Sequence, residues 1–325
     1  MAQRVQRLVR HLSPVQCVGS DMEYPSDAVI YLNGQWVPDK EALVSIHDQS
    51  FIHGFGCFDT CRTYNGKVIP DRMRMHIDRF FQSIKALNME SPLSKQEWCD
   101  VLEEMVRRNQ HMLPKWGGDF WCFVRLTPGV NGSMTSICEP VKIPFAARAK
   151  KYIHGITMAS VGMRRIPPEC IPPRVKLHSY VNNMLADMEA SAKDKDALAL
   201  MQDMRGNIAE GSTYNFFLVQ DGKIFTPREQ FALAGVSRAT VFRLAAELSI
   251  CCEERDLDMY DVYNADEAFL TSTSLCMCPV KKVNGRAVGE EGTLWGPVSA
   301  KLRDAYKDLV GLDFVAQYLA FADDS

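Results

Sequence analysis

The sequence predicts a mixed α/β (α+β) protein of two domains, and three observations support that fold class. The chain has 325 residues, which is more than one domain usually contains. Strand and helix patterns alternate irregularly along its whole length. The charged run RAKKY at 148–152 predicts an exposed boundary. We therefore expect a smaller N-terminal domain over residues 1–149 and a larger domain over residues 150–325.

Turn signals dominate the first half of the chain. Asn-Gly pairs at 33–34 and 65–66 each separate two apolar runs, and such pairs favour two-residue hairpin turns. Apolar residues at helical spacing predict a helix over about 72–87. Ser94 predicts the start of a charged helix over about 95–109. The runs DFWCFVRLTPG and PVKIPFAARA predict strands.

The second half alternates helices with hairpins. A helix is expected from near Ser179, with a buried stripe of Val181, Met184, Leu185 and Met188. The segment GVSRATVFRLAAELSI predicts a helix whose buried residues are Val241, Leu244, Ala245 and Leu248. NFFLVQDGKIFTP and VKKVNGRAV predict hairpins, and DEAFLTSTSLCMCPV predicts a strand that runs into a polar turn. Residues 296–322 are expected to be helical.

Composition excludes several classes of function. The net charge of −3 provides no field that would draw the protein to nucleic acid or to a membrane, and no apolar run is long enough to span a bilayer. The basic N-terminus, MAQRVQRLVRHLSP, lacks the apolar core of a secretory signal and predicts a surface segment. The eleven cysteines form no zinc-ligand pattern, so we expect no metal, and reduced thiols in a cytoplasmic protein.

Three features of the second half suggest one chemistry. Lys176 lies between Val175 and Leu177, and an amine in an apolar setting can become a neutral nucleophile. Glu210 precedes a run of Gly, Ser, Thr and Asn, where a carboxylate needs a positive or hydrogen-bonding partner. The segment AGVSRATVF opens a helix whose free N–H groups can bind an anion.

Each of these features alone also fits a surface lysine, a polar turn residue or an ordinary helix cap. Together they fit pyridoxal 5'-phosphate. The amine would react with the aldehyde of this cofactor, the carboxylate would pair with its protonated ring nitrogen, and the helix end would bind its phosphate.

The order of RVKLHSYVNNMLADMEA, NIAEGSTYNFFLVQDGKIFTP, LAGVSRATVFRLAAEL and DEAFLTSTS resembles the fold-type IV, or class IV, aminotransferases. Upstream, HGFGCFDTCRTYNGKVI and HIDRFFQSIKAL are similar to the small domain of that family. The resemblance covers about residues 28–310. It implies a smaller N-terminal α/β domain, a larger β-barrel-like C-terminal domain with helices, and a homodimer with a shared active site.

The resemblance also implies roles for individual residues. Lys176 resembles the lysine that forms a Schiff base with the cofactor and shuttles protons. Glu210 resembles the partner of the pyridine nitrogen, and Arg79 resembles the arginine that grips the phosphate. The other positions that resemble cofactor contacts are Ser212, Thr213, Asn215, Val236, Ser237, Thr273 and Ser274.

The implied reaction is ping-pong transfer of an amino group from a primary amine or amino acid to a 2-oxo acid, either pyruvate or 2-oxoglutarate. His53 and the run RRIPPECIPPRVK resemble the (R)-selective amine transaminases. From the sequence we therefore favour an (R)-amine as the substrate. Phe58 stands where many relatives have an aromatic residue facing the cofactor. Arg125 offers a carboxylate clamp, as in the branched-chain enzymes.

Other functions stay open at this point. A branched-chain L-amino acid is nearly as well supported as an amine. A D-amino acid is less so, because the segment VNGSMTSI after LTPG lacks the basic carboxylate trap of the D-amino acid enzymes. A lyase that splits aminodeoxychorismate would share the fold but need no acceptor. A non-catalytic binding protein would have no reason to retain Lys176.

Overall fold

The computed structural model describes residues 26–322. The predicted N-terminal surface segment and Cys17 lie outside the described residues. The ten cysteines within them are free thiols. No helix in this part of the chain has the length and apolar character needed to cross a membrane.

The first sheet is antiparallel throughout and has the strand order β2-β1-β5-β4-β3. Its strands are β1 (Val29–Leu32), β2 (Gln35–Pro38), β3 (Cys57–Arg62), β4 (Phe120–Val130) and β5 (Ser133–Lys142). The helices that accompany it are α1 (Gln49–His53), α2 (Pro70–Ala86) and α3 (Lys95–Arg108), with short 3₁₀ turns at Asp39–Glu41, Gln110–Met112 and Pro114–Trp116.

The ends of α2 and α3 follow from their sequences. Pro70 occupies the first position of α2, where its missing N–H costs nothing. Ser94 and Glu97 form a reciprocal capping box at the start of α3, which supplies acceptors for N–H groups that the helix leaves free. Both helices begin within two residues of the predicted positions. Their apolar faces pack with the first sheet around Phe80 and Trp98, which are fully buried.

The second sheet has nine strands in the order β11-β10-β9-β12-β13-β6-β7-β8, with β14 paired to β13. Its strands are β6 (Ile156–Ser160), β7 (Leu198–Gln202), β8 (Ile208–Gly211), β9 (Asn215–Gln220), β10 (Lys223–Thr226), β11 (Cys252–Glu254), β12 (Glu267–Ser272), β13 (Cys276–Val283) and β14 (Arg286–Ala287). The helices are α4 (Phe145–His154), α5 (Val181–Lys193), α6 (Val236–Glu247), α7 (Met259–Tyr263), α8 (Pro297–Val310) and α9 (Phe314–Leu319), with a 3₁₀ turn at Glu229–Phe231.

The predicted mixed fold class is confirmed. The two sheets divide the described chain between Lys142 and Ile156, and the domain limits at 149 and 150 stay a prediction. Asn33, Asp221 and Asn284 adopt φ values of 50–52° at the predicted hairpin turns, where left-handed backbone is required.

Three local predictions are wrong in part. The two-residue turn at Asn65-Gly66 forms as predicted between the bridged residues Tyr64 and Lys67, but the chain then enters α2 instead of a second strand. PVKIPFAARA is strand only to Lys142, after which Phe145 begins α4. The RAKKY run lies inside α4, where Tyr152 is buried, because its apolar residues fall on one helix face.

The buried stripe predicted for α5 is also wrong. Val181, Leu185 and Met188 are 65, 43 and 50 % exposed. The face that packs on the second sheet instead carries Ala186 and Ala190, because small side chains allow the helix to approach the strands closely. In α6, Leu248 is 37 % exposed at the helix end, whereas the other three predicted residues are buried.

Candidate active site

Lys176 lies on the segment that links β6 to α5, and both sheets contribute to its surroundings. Its backbone is fixed by two hydrogen bonds: Phe58 N donates to Lys176 O at 3.1 Å, and Lys176 N donates to Ser83 Oγ at 3.1 Å. Its Nζ lies 3.2 Å from the Tyr180 hydroxyl and 4.5 Å from the centre of the Phe58 ring. No carboxylate among residues 26–322 forms an ion pair with it, so the amine faces the cavity without a counter-ion.

Glu210 lies on β8 and is only 4 % exposed. One carboxylate oxygen accepts from Arg165 Nε at 2.7 Å, and the other accepts from Leu233 N at 2.9 Å and from Asn215 Nδ2 at 3.3 Å. A carboxylate can accept about four hydrogen bonds, so Glu210 retains capacity toward the cavity that it lines. The burial cost of the carboxylate is offset by Arg165, a residue that the sequence analysis did not single out.

Arg79 lies on the buried side of α2 and bonds both to the first sheet and to the segment before α6. It donates to both oxygens of Asp59 at 2.8 Å and to Ala234 O at 2.9 Å. Burial by itself would raise the pKa of Asp59, but the Arg79 cation, followed by His76, holds it well below its usual value. The guanidinium is therefore fixed beside the segment that begins α6.

His76 completes this buried group. Its Nδ1 lies 2.7 Å from Asp59 Oδ1. Burial lowers the pKa of His76 to about 4, although the Asp59 carboxylate opposes this shift. At neutral pH His76 is thus a neutral hydrogen-bond partner, and the charge of Asp59 is matched by Arg79 alone.

The start of α6 is built to leave its N–H groups free. Gly235 caps the helix without any side-chain hydrogen bond. A Cβ on Gly235 would lie 2.0 Å from Asn215 Oδ1, so only glycine fits there. The hydroxyl of Thr271 is buried beside the same cavity and has no hydrogen-bond partner among the described residues. Free N–H groups at a helix N-terminus together with a hydroxyl suit a phosphate.

One cavity brings together nine of the residues predicted to contact the cofactor. They are Arg79, Lys176, Glu210, Ser212, Thr213, Asn215, Val236, Ser237 and Thr273. The amine, the carboxylate and the helix end thus surround one space, and the buried, unpartnered Thr271 hydroxyl points to a missing polar group. These residues fit pyridoxal 5'-phosphate.

Four predicted site residues do not line this cavity: Ser274, His53, Phe58 and Arg125. Ser274 is buried, and its hydroxyl accepts a hydrogen bond from Arg148, so this hydroxyl is engaged within the chain. Thr271 and Ser272 line the cavity in its place. His53 is the last residue of α1 and is exposed.

Phe58 and Arg125 lie on the other side of Lys176. Phe58 packs against Phe123 and Tyr180, with ring centres 5.9 and 5.5 Å apart. Arg125 donates from Nε to Glu139 at 2.6 Å, so the predicted carboxylate clamp already has a carboxylate partner within the chain.

Several residues at the site were missed from the sequence. Arg165 and Tyr180 are 11 residues before and 4 after Lys176, and nothing in their local pattern distinguishes them from surface residues. Asn183 was obscured by the helical pattern of α5, although its polar position on the buried face is a usable signal. Asn183 Nδ2 donates to Ser212 O at 2.5 Å. No cluster of three His, Cys, Asp or Glu side chains in residues 26–322 is arranged to hold a metal ion.

Comparisons with known proteins agree with this geometry. The family model for amino-transferase class IV matches residues 56–283. The branched-chain-amino-acid aminotransferase of Pseudomonas aeruginosa is 31 % identical over 293 residues, which cover 87 % of this chain and 93 % of that protein. The D-alanine aminotransferase of Staphylococcus aureus is 26 % identical over 293 residues, covering 86 % and 97 %.

A solved structure gives the same result for the fold. The branched-chain aminotransferase of the thermophilic archaeon Thermoproteus uzoniensis, solved with norvaline, superposes with a TM-score of 0.76 at 26 % sequence identity. The match covers 91 % of this chain and 98 % of that one. The chain therefore belongs to the class IV aminotransferases and is a transaminase that depends on pyridoxal 5'-phosphate.

Proposed function

We propose that this enzyme transfers the amino group of a branched-chain L-amino acid to 2-oxoglutarate. The observation that carries the proposal is the cavity in which Lys176, Glu210 and the start of α6 converge. The similarity to branched-chain enzymes over most of both chains supports this substrate class over the (R)-amines favoured from the sequence.

Several residues of the cavity have a task in this proposal. Glu210, fixed by Arg165, would accept a hydrogen bond from the protonated ring nitrogen. The N–H groups of Val236 and Ser237, with Arg79 and the hydroxyls of Thr271 and Thr273, would hold the phosphate. Pyridoxal 5'-phosphate, when bound, supplies an electron sink that stabilises negative charge at the substrate α-carbon.

Lys176 moves the proton. Its Nζ is the only amine that lines the cavity in residues 26–322, and it would accept the α-proton of the amino donor and return a proton in the next half-reaction. Tyr180, 3.2 Å away, would orient the amine. The Phe58 ring beside Nζ excludes water from that side.

A product assay tests this proposal. The holoenzyme would be incubated with 2-oxoglutarate or pyruvate and, in turn, L-leucine, D-alanine and an (R)-arylalkylamine. We expect L-glutamate and 4-methyl-2-oxopentanoate from L-leucine with 2-oxoglutarate, and neither product from the Lys176→Ala variant. Turnover of the amine alone, or pyruvate release from aminodeoxychorismate without an acceptor, would contradict the proposal.

A D-amino acid is the second candidate, because the Staphylococcus aureus relative is a D-alanine aminotransferase. It is distinguished in the same assay by conversion of D-alanine but not L-leucine. The missing basic trap after LTPG is the reason for ranking it second.

We also propose that the enzyme works as a homodimer. Apolar side chains between residues 43 and 55 are exposed, including Leu43 at 78 % and Phe51 at 73 %. The exposed stripe of α5 lies next to this surface, because a Cβ on Gly54 would lie 3.5 Å from Ser179 Cβ, just before the helix. We call these residues the apolar surface: Leu43, Val44, Ile46, Phe51, Ile52, Phe55, Val181, Leu185 and Met188. Monomeric proteins rarely expose such a patch to water, and a second copy of this chain would cover it beside the site.

A further inference from the structure

The ion pair between Arg125 and Glu139 lies on the face of the first sheet that is turned toward Lys176. Side chains alternate between the two faces of a strand. Cys122, Val124 and Cys138 point into the core between the sheet and its helices. Arg125 and Glu139 therefore point to the opposite face.

Phe58 links this face to the reacting amine. Phe58 is paired with Arg125 in the β3–β4 register, and Glu139 is paired with Phe123 in the β4–β5 register. The Arg125 guanidinium carbon lies 5.7 Å from the centre of the Phe58 ring and 4.7 Å from that of Phe123. Lys176 Nζ lies 4.5 Å from the same Phe58 ring. The ion pair is thus one aromatic ring away from the catalytic amine.

The pair leaves part of the guanidinium free. Arg125 Nε donates to Glu139 at 2.6 Å, and no acceptor within residues 26–322 bonds to the N–H groups of Nη1 and Nη2. The two side chains are 30 and 21 % exposed, so a ligand can reach them. An approaching carboxylate would find free donors on Arg125 but would also meet the negative charge of Glu139.

We propose that Glu139 is a specificity-determining residue that weakens recognition of a second carboxylate on the substrate. By neutralising Arg125, it lowers the affinity for the second carboxylate of glutamate and 2-oxoglutarate, while 2-oxoglutarate remains the proposed amino acceptor. Specificity of this kind arises from a repulsive charge as well as from attractive contacts. The inference rests on the proposed function, since it concerns which amino and oxo acids that site prefers.

The test compares Glu139→Gln with the wild-type holoenzyme. The glutamine removes the charge but keeps the size and one acceptor oxygen. We expect the ratio of kcat/KM for 2-oxoglutarate to kcat/KM for 4-methyl-2-oxopentanoate to rise about tenfold, because one like charge near the second carboxylate is lost. Glu104→Gln is the matched control, since Glu104 pairs with Arg107 and Arg108 on α3. It makes the same change in net charge away from the site, and its ratio should equal that of the wild type.

A binding measurement separates this inference from the proposed function. Glutarate and 4-methylvalerate are unreactive acids with two and one carboxylates, and their binding can be followed by the visible spectrum of the holoenzyme. Glu139→Gln should tighten glutarate relative to 4-methylvalerate by about tenfold as well. A ratio that stays constant or falls in both measurements would overturn the proposal and make Glu139 a positioning residue for Arg125. Failure of the wild type to convert L-leucine would contradict the proposed function but leave the binding ratio decisive for Glu139.

Discussion

At the scale of single residues, the site depends on buried charges that are matched within the chain. Glu210 is matched by Arg165, and Asp59 by Arg79. Removing one partner of a buried pair leaves an isolated charge, which costs more than removing both partners. The two pairs therefore prepare the cavity before any ligand binds.

The Arg165–Glu210 pair gives the first prediction. Arg165→Met should destabilise the apoprotein by about 3 kcal/mol, because a carboxylate that is 4 % exposed would lose its counter-charge. The double variant with Glu210→Gln should recover part of that loss. Urea unfolding of the apoprotein measures both effects. If the free-energy losses of the two single variants instead add up in the double variant, the two residues are not coupled. That result would contradict the prediction.

His76 gives a prediction for pH dependence. The folded-state pKa of about 4 lies below the value of about 6.5 for an unfolded histidine. The unfolded state therefore binds more protons between these values, and stability falls as the pH drops from about 6.5 toward 4. His76→Asn keeps a donor for Asp59 and does not titrate. Between pH 6.5 and pH 5, the free energy of unfolding of His76→Asn should fall by about 1.5 kcal/mol less than that of the wild type. Equal losses in unfolding experiments at the two pH values would contradict the assignment.

At the scale of secondary-structure elements, the start of α6 is linked to Glu210 across the cavity. Gly235 caps the helix, and Asn215 beside it donates to Glu210 and to Leu233 O. A change at the helix start is therefore transmitted to the carboxylate through one side chain.

Gly235→Ala tests this connection. The new Cβ would displace Asn215, since it would lie 2.0 Å from Oδ1. We expect the dissociation constant of pyridoxal 5'-phosphate to rise at least about tenfold, as the strain of an added methyl group in a packed site implies. Gly162→Ala is the control, because its Cβ would lie 3.5 Å from the nearest atom. If equilibrium dialysis shows the same affinity of Gly235→Ala and the wild type for pyridoxal 5'-phosphate, the helix start does not contribute to cofactor binding.

The sequence predicted elements best where local rules determine them. The hairpin turns at Asn33 and Asp221 and the start of α3 at Ser94 depend on nearby residues alone. The buried face of α5 and the helical state of α4 depend on what packs against them, so local patterns were misleading there. Lys176 and Glu210 were noticed because a charged side chain in an apolar setting needs a partner, and both line the cavity. Arg165 and Glu139 could not, because their partners are 45 and 14 residues away.

At the scale of the whole molecule, the proposed homodimer would account for the exposed apolar stripe of α5. Val181 and Leu185 have the spacing of a buried stripe but no partner in the described part of the chain. A second subunit would bury them. The prediction from periodicity would then be right for the assembly and wrong for the isolated chain.

Two variants test the homodimer. Phe51→Ser and Leu185→Glu should each shift the protein from dimer to monomer in sedimentation equilibrium, because they place polar groups in an apolar contact. Cofactor affinity should fall together with the dimer fraction if the site is shared. Tyr260→Glu alters a side chain that is 74 % exposed on α7 and should leave the dimer intact. A wild-type monomer at micromolar concentration would contradict the homodimer proposal.

In the proposed function, Lys176, Glu210 and the start of α6 form one cofactor site that accepts an L-amino acid. The most direct measurement is the visible absorption spectrum of the purified holoenzyme as L-leucine, D-alanine and an (R)-arylalkylamine are added separately, without an oxo acid. We predict that L-leucine bleaches the yellow band and that the other two leave it unchanged. A protein that takes up no pyridoxal 5'-phosphate, or a band that responds only to the amine or to D-alanine, would contradict the claim.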